Sequence, residues 1–210
     1  MFFDPFTAPP PPSDWAAADF DDSAWPMRRG PFQIDMPEDL PPDRTAGNMS
    51  KVHFDSLQYI GTGLHSACYR ARFVVDDPAA ADLTLRLVYR GGARAFVNGR
   101  EVARGNLPNG EFAPDVAGED YPIEAYQNPA LRDRKLGPVK IPAGVLAKGV
   151  NVLAVEIRAS DLHPVVLKKE FSRSWNALHD RECQWRHGFL GRLELRSSGQ
   201  ARTGLVRPPS

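Results

Sequence analysis

The chain has 210 residues, with 26 Lys and Arg against 26 Asp and Glu, so its formal net charge is zero. That balance excludes a global field that would steer the chain onto nucleic acid or an anionic membrane, and no apolar run approaches the roughly 18 residues that span a bilayer. Twenty prolines and 17 glycines fall between short apolar runs, which argues against a helical bundle and for short strands joined by long ordered loops. The length fits one domain with a full core, or one domain and an appendage. Short basic clusters at Arg28-Arg29, Arg132 to Lys135 and Lys168-Lys169 read as solvated surface.

The start, MFFDPFTAPPPPS, has no basic region followed by an apolar one, so it is not a secretory signal. That leaves a cytoplasmic protein or one domain of a longer exported chain. Residues 1–13 form a Pro-rich arm that favours polyproline II. Asp14 to Trp25, DWAAADFDDSAW, comes next, and residues 26–50 read as a long coil over the domain. His53 to Tyr59 alternates weakly and suits an edge strand.

Stronger alternation follows. In Cys68 to Val75, Tyr69, Ala71, Phe73 and Val75 share one face against Arg70 and Arg72; in Asp82 to Arg90, Leu83, Leu85, Leu87 and Tyr89 oppose Thr84, Arg86 and Arg90. A two-residue period of this length marks a half-buried antiparallel strand. Asn98-Gly99 predicts a two-residue hairpin, because both central positions need positive φ, with Ala95 and Val97 entering it.

Residues 104–136 are a loop-rich insertion, of a length that is usually functional when ordered. Leu136 to Ile141 predicts a short strand, and Pro142 to Ala147 a helical turn with Pro at its start. A Gly149-Val150-Asn151 turn launches Val150 to Ala159, apolar on both faces and hence central. Ser172 predicts the cap of a short helix through Leu178. Gly188 to Arg196 predicts a closing strand with Phe189, Leu193 and Leu195 inward, and the polar tail from Ser197 a flexible end. No internal repeat is visible. The pattern predicts an all-β, antiparallel jelly-roll β-sandwich, with an arm at 1–13, the sandwich at 14–196 and a tail at 197–210. Helix over residues 82–90 or 150–158 would refute it.

Four pieces in order carry a resemblance. They are Trp15 with Phe20-Asp21-Asp22-Ser23-Ala24-Trp25, Tyr69-Arg70-Ala71-Arg72-Phe73, Ala95-Phe96-Val97-Asn98-Gly99-Arg100-Glu101-Val102, and Leu146 to Ile157. Together they resemble the galactose-binding-like jelly roll, and are similar to the sugar-binding domain that precedes the catalytic barrel in family 2 glycoside hydrolases. Related domains occur in large exported bacterial proteins. The match spans roughly residues 14–196. It implies a non-catalytic carbohydrate-binding or accessory module of a larger carbohydrate-active or cell-surface protein, extracellular or periplasmic, whose partner is carbohydrate or a neighbouring domain, with no nucleic acid and no membrane insertion. This fold hosts many functions, and no catalytic barrel is present. A structural domain without sugar is the alternative; a stand-alone glycoside hydrolase is the third reading.

Sugars stack on aromatic rings while polar groups hold their hydroxyls. Trp15 and Trp25 belong to the resembling segment and read as core. Trp175 and Trp185 lie among Arg173, Asn176, His179, Arg181, Gln184 and Arg186, which suits a sugar platform and equally a folded-over loop with its own small core. With His163, just after the central strand, and Tyr126, inside the insertion, they are the candidate ligand-binding residues. His179, Cys183 and His187 recur every fourth residue, a face that would hold Zn²⁺ on a helix; only three ligands are offered, and coincidence is the favoured reading.

The doublets Asp21-Asp22, Asp76-Asp77 and Glu119-Asp120 do not suit a glycosidase pair, since strand neighbours point to opposite faces. Turn chemistry accounts for Asp76-Asp77-Pro78. The resemblance makes Asp21 and Asp22 weak candidates for a structural Ca²⁺, and no other cofactor is implied. No phosphate loop, nucleophile elbow or metalloprotease motif occurs. Cys68 and Cys183 would form a disulfide only with Cα atoms within about 7 Å; free thiols are the other possibility.

Overall fold

A strand whose side chains alternate between apolar and polar needs a second layer on its apolar side. The computed structural model describes residues 11–25, 66–161, 163 and 187–206, and within them eight strands supply that layer to one another as two antiparallel sheets. The strands are β1 (Ser66–Val75), β2 (Leu83–Arg90), β3 (Gly92–Val97), β4 (Arg100–Gly105), β5 (Arg134–Lys140), β6 (Gly149–Arg158), β7 (Phe189–Ser197) and β8 (Thr203–Leu205). One sheet has the order β4-β3-β6-β1-β8 and the other β5-β2-β7. Every connection except the β3–β4 hairpin crosses from one sheet to the other, the wrapping expected of a jelly-roll sandwich. The arm over residues 1–10, the coil at 26–50, the edge strand at His53 to Tyr59 and the helix at Ser172 to Leu178 lie outside the described residues. Among the described residues no helix is long and apolar enough to cross a membrane.

The core lies between the sheets. Leu83, Leu85, Leu87 and Tyr89 of β2 are all buried and meet Phe73 and Val75 of β1, Val97 of β3 and Leu153, Val155 and Ile157 of β6. Each such side chain contributes about 1.5–3 kcal/mol by leaving water. Strand β7 departs from simple alternation. Leu193 and Leu195 pair with Leu87 and Leu85, but the register then slips: Val88 faces Arg192 while Tyr89 faces Leu190, leaving Gly191 as a bulge. One extra residue reverses the parity beyond it. Leu190 therefore enters the core and Phe189, expected inward, stacks under the Arg90 guanidinium at 5.6 Å.

Asn98 (φ 51°) and Gly99 (φ 80°) both take the left-handed conformation, as a two-residue hairpin requires. Asn98 also reaches across to β6. Its Nδ2 donates to Val145 O (2.9 Å) and to Asn151 Oδ1 (2.8 Å), and its Oδ1 accepts from Val152 N (2.9 Å). Asn151, fully buried, in turn holds Ala147 and Gly149 of the turn before β6. The hairpin and the turn, separate pieces in the sequence, are thus one hydrogen-bonded unit.

Strand β6 lies between β3 and β1 and is buried continuously from Asn151 to Arg158. Its outer face is covered by the segment 11–25, where Trp15 and Ala16 pack on Val152 and Ala154. Trp25 stacks on Trp15 at 6.4 Å, and Phe96 meets Trp15 edge-on at 5.7 Å. The insertion contains the short helix α1 (Glu124–Gln127) and a 3₁₀ turn (Pro129–Leu131) before β5 begins. A second 3₁₀ turn, Ala143–Val145, stands where a helical turn was expected. The tail, expected to be flexible from Ser197, instead returns as β8, with Thr203–Leu205 paired to Phe73–Val75.

Between β2 and β3 the chain passes from sheet to sheet at Gly91 (φ 81°), where a Cβ would collide with the carbonyl oxygens of Arg158 and His187. Gly110 has a similar φ of 78° but open space around it. We expect Gly110→Ala to cost about 1 kcal/mol in thermal unfolding, from backbone strain alone. Gly91→Ala is expected to cost at least about 3 kcal/mol, because two carbonyls must also shift. Equal losses would refute this account of the junction.

Candidate functional site

Chemistry-bearing side chains collect in two places. The first is the outer face of the five-stranded sheet under residues 11–25. Arg70 projects from β1 with a side chain only 3% exposed. It donates to Asp22 Oδ2 (2.8 Å), to Ala17 O (2.9 Å) and to Trp15 O, and its guanidinium lies 5.2 Å from the Phe20 ring centroid. Arg72 holds the other oxygen of Asp22 at 2.6 Å. Asp21 Oδ1 accepts from Ser23 N (3.0 Å), closing the turn that leads to Trp25. Both candidate Ca²⁺ ligands are therefore engaged, Asp22 by two guanidinium groups. Among the described residues no group of three or more His, Cys, Asp and Glu converges to hold a metal.

In the other doublets Asp76 Oδ1 accepts from Arg202 N (2.7 Å), Asp77 Oδ1 from Ala79 N (3.0 Å), and Glu119 Oε2 from Asn106 Nδ2 (2.7 Å). Burial raises the pKa of Asp22, but the hydrogen bonds and charges of Arg72 and Arg70 outweigh it, so the carboxyl is held below its ordinary range.

The second place is the rim of the sandwich opposite the Asn98 hairpin. There the β2–β3 junction, the end of β6, the start of β7 and the insertion meet. Tyr121 Oη accepts from Gly91 N (3.0 Å) and donates to Arg132 O (2.8 Å), while the Arg134 guanidinium stacks on its ring at 3.9 Å. Arg132, itself buried, donates to the carbonyls of Ala125 and Tyr126 at the end of α1. Ser160 ties Glu119 O to the strand end, and its own N–H donates to His187 O.

Tyr126 is the hub. Its hydroxyl is hydrogen-bonded to His187 Nε2 (2.8 Å) and accepts from His163 N (2.9 Å). The ring centroids of His187 and His163 lie 5.6 Å and 6.2 Å from its own, and Tyr121 meets His187 edge-on at 6.2 Å. Of the four candidate ligand-binding residues, the structure brings Tyr126 and His163 together; Trp175 and Trp185 lie outside the described residues, as do His179 and Cys183. Tyr126 is buried and sets the histidines in place from below, while His163 is half-buried.

Tyr121, Arg132, Arg134 and His187 belong to the same cluster, a role the sequence reading did not assign them. Tyr121 stands in the insertion and His187 in the four-residue repeat with His179 and Cys183. Nothing local in the sequence links them, since the junction at Gly91 brings them together.

Cys68 is a free thiol on the outer face of β1, pushed up to about 12 by burial and then by the Glu156 carboxylate. Its strand neighbours are β6 and β8, and β7 lies in the opposite sheet.

No family model matches the chain, and no curated protein matches it. Two solved structures are similar to it. One is a glycosyl hydrolase family 2 member from Bacteroides cellulosilyticus DSM 14838, at a TM-score of 0.41. The other is a family 2 member from Bacteroides cellulosilyticus determined from microfluidic crystals, at 0.44. In each case the identity is 16%, and the similarity covers 91% of this chain and 18% of the other. The chain thus spans under a fifth of the length of the structures it matches.

Asp22→Asn is expected to destabilise the protein by about 2 kcal/mol at neutral pH, since it weakens the pairing of a buried guanidinium. The lowered native pKa means that the ion pair stabilises above the unfolded value of about 3.9 and that this is lost as pH falls through the native value. The difference between wild type and Asp22→Asn, followed by denaturant unfolding, should therefore shrink below about pH 4. In a Cys183→Ser background, iodoacetamide should label native Cys68 at pH 8 at least about a hundredfold more slowly than the unfolded chain. Equal rates would show that the thiol is not suppressed.

Proposed function

We propose that this chain is a non-catalytic accessory β-sandwich module of a larger carbohydrate-active or cell-surface protein, extracellular or periplasmic, which binds carbohydrate at its rim. The reading rests on the convergence of Tyr126, His163, His187 and Tyr121 at one end of the sandwich. Tyr126, Tyr121 and His187 are buried and form a rigid base, and half-buried His163 is the group of the cluster that it presents to a sugar hydroxyl. The outer face of β6 supports the same reading by elimination, because residues 11–25 already occupy it. A non-catalytic role agrees with carboxylate doublets that are engaged in turns and ion pairs.

The alternative, a docking or spacer domain without sugar, is favoured by one observation. Val74 and Val150, partners across β1 and β6, are 36% and 55% exposed, and Leu205 and Val206 beside them are 76% and 39% exposed. Apolar groups gathered at a sheet edge suit burial against a neighbouring domain.

The test is binding to an array of neutral and charged oligo- and polysaccharides, with and without Ca²⁺, followed by tryptophan fluorescence titration of each hit. Saturable binding to a neutral glycan, lost in His163→Ala or Trp185→Ala, is the expected result. Silence across the neutral glycans removes the rim site and leaves the docking role.

A further inference from the structure

The outer face of the three-stranded sheet carries charge in a way the whole chain does not. Its outward positions come from β2, β5 and β7, and the register sets them in rows. Lys140, Thr84 and Arg196 form one; Arg86 and Glu194 the next; Lys135, Val88 and Arg192 the third. Five cations thus surround one carboxylate, with Asp82 at the edge paired to Lys140 at 3.1 Å. The chain as a whole is neutral, so this face is a local positive field. Lys140, Arg192 and Arg196 have side chains 76%, 67% and 63% exposed, and Arg86 and Lys135 are exposed as well.

Glu194 shows what the face holds. Burial raises its pKa, but the hydrogen bond of Arg196 and the charges of Arg192, Arg196 and Arg86 outweigh it, so the carboxyl is held low. It pairs with Arg196 at 3.1 Å and with Arg192. Arg86 and Lys135 have no ion-pair partner among the described residues, so the face can accept more negative charge. Within a row the cations stand two strands apart, about 9–10 Å, and Arg86 lies one row on, about 7 Å along the strands, a spread of charge that a polymer bearing repeated carboxylates can follow.

We infer that this face binds a carboxylate-bearing polysaccharide, a polyuronate, held by Arg86, Lys135, Lys140, Arg192 and Arg196. The inference rests on the reading of the chain as a carbohydrate-binding module and supplies a second face and a ligand class. The face suits a hydrated polymer better than a protein, whose interfaces place apolar anchors at the centre and deplete charge there. Here Thr84, Val88, Gly137 and Pro138 stand between the cations, and none of them is a large apolar anchor. Among the described residues it has no stacking platform for single-stranded nucleic acid, since the neighbouring ring, Phe189, is taken up by Arg90. Arginine matches a carboxylate in two-point geometry, and the bond strengthens as the polymer releases its counterions.

The experiment is titration of the whole chain with polygalacturonate at 50 and 200 mM NaCl, with dextran, dextran sulfate, polyglutamate and duplex DNA at matched charge or mass. Binding to polygalacturonate should weaken about tenfold or more between the two salt concentrations, and dextran should not bind. The double variant Arg86→Glu, Lys135→Glu should lower the affinity at least tenfold. Arg86→Gln, Lys135→Gln should lower it less and melt close to wild type, whereas the Glu variant, which sets a second acid opposite Glu194, should melt lower. His163→Ala and Trp185→Ala should leave polyuronate binding intact. No binding at 50 mM salt overturns the inference, and so does binding indifferent to Arg86 and Lys135 or lost in His163→Ala. Equal or tighter binding of dextran sulfate, polyglutamate or DNA overturns it too, by showing a generic polyanion surface. A neutral glycan held at the rim without polyuronate binding leaves the module reading standing; polyuronate binding with no neutral glycan leaves this face and removes the rim site.

Discussion

The carboxylate of Glu156 lies 1% exposed in β6, a strand with neighbours on both sides. A charge buried there persists only where opposite charges and donors surround it. Arg94 from β3 supplies bonds at 2.8 and 2.5 Å, and Arg158, two residues along β6, supplies a pair at 2.8 Å. The guanidinium groups then organise what lies above them. Phe112 sits with its ring 4.7 Å from Arg94, 5.0 Å from Arg158 and 5.1 Å from Arg104. Arg158 also donates to Pro114 O and Val116 O. One buried acid thus fixes two arginines, and those fix the first part of the insertion as a lid on the sheet.

Arg70 does the same for the other half of that face. Its carbonyl and carboxylate partners all lie in residues 15–22, so the segment is held by one buried guanidinium before its indoles contribute packing. With both halves covered, the five-stranded sheet is closed on its outer side wherever these segments reach. Among the described residues, these two covers leave out the rim, where the insertion's second part brings Tyr121 and Tyr126 to the strand ends, and the outer face of the smaller sheet. The two surfaces differ in chemistry. The rim presents half-buried His163 on a buried, hydrogen-bonded base, whereas the sheet face carries long cationic side chains.

Much of the fold was legible because alternation is a local property. Leu83 to Tyr89 announced a strand and its buried face, and Asn98-Gly99 announced a turn type, since in each case neighbouring residues carry the whole signal. Legibility failed where one residue changed the count. Gly191 bulges and so exchanges Phe189 for Leu190 in the core, an event decided by pairing with β2. The tail failed for a similar reason. Thr203–Leu205 is too short and polar to read as a strand, and it becomes one because the open edge of β1 offers it partners. Of the candidate site, Tyr126 and His163 were visible as isolated residues. Their companions Tyr121 and His187 were not, because 61 residues separate Tyr126 from His187 and only the chain crossing at Gly91 closes that distance.

By itself, then, the sequence determined the all-β class, the inward faces of β1, β2 and β6, and the hairpin, through periodicity and the φ preferences of Asn and Gly. Only the tertiary structure decided that Asp22 is clamped by Arg70 and Arg72 and that Tyr126 is the base of a histidine pair. It also decided that Arg86, Lys135, Lys140, Arg192 and Arg196 form one positive face of a neutral chain. The reason is physical: charges and hydrogen bonds act through space at a few ångströms, and strand pairing sets side by side residues that the chain holds far apart, as it does Arg86 and Glu194.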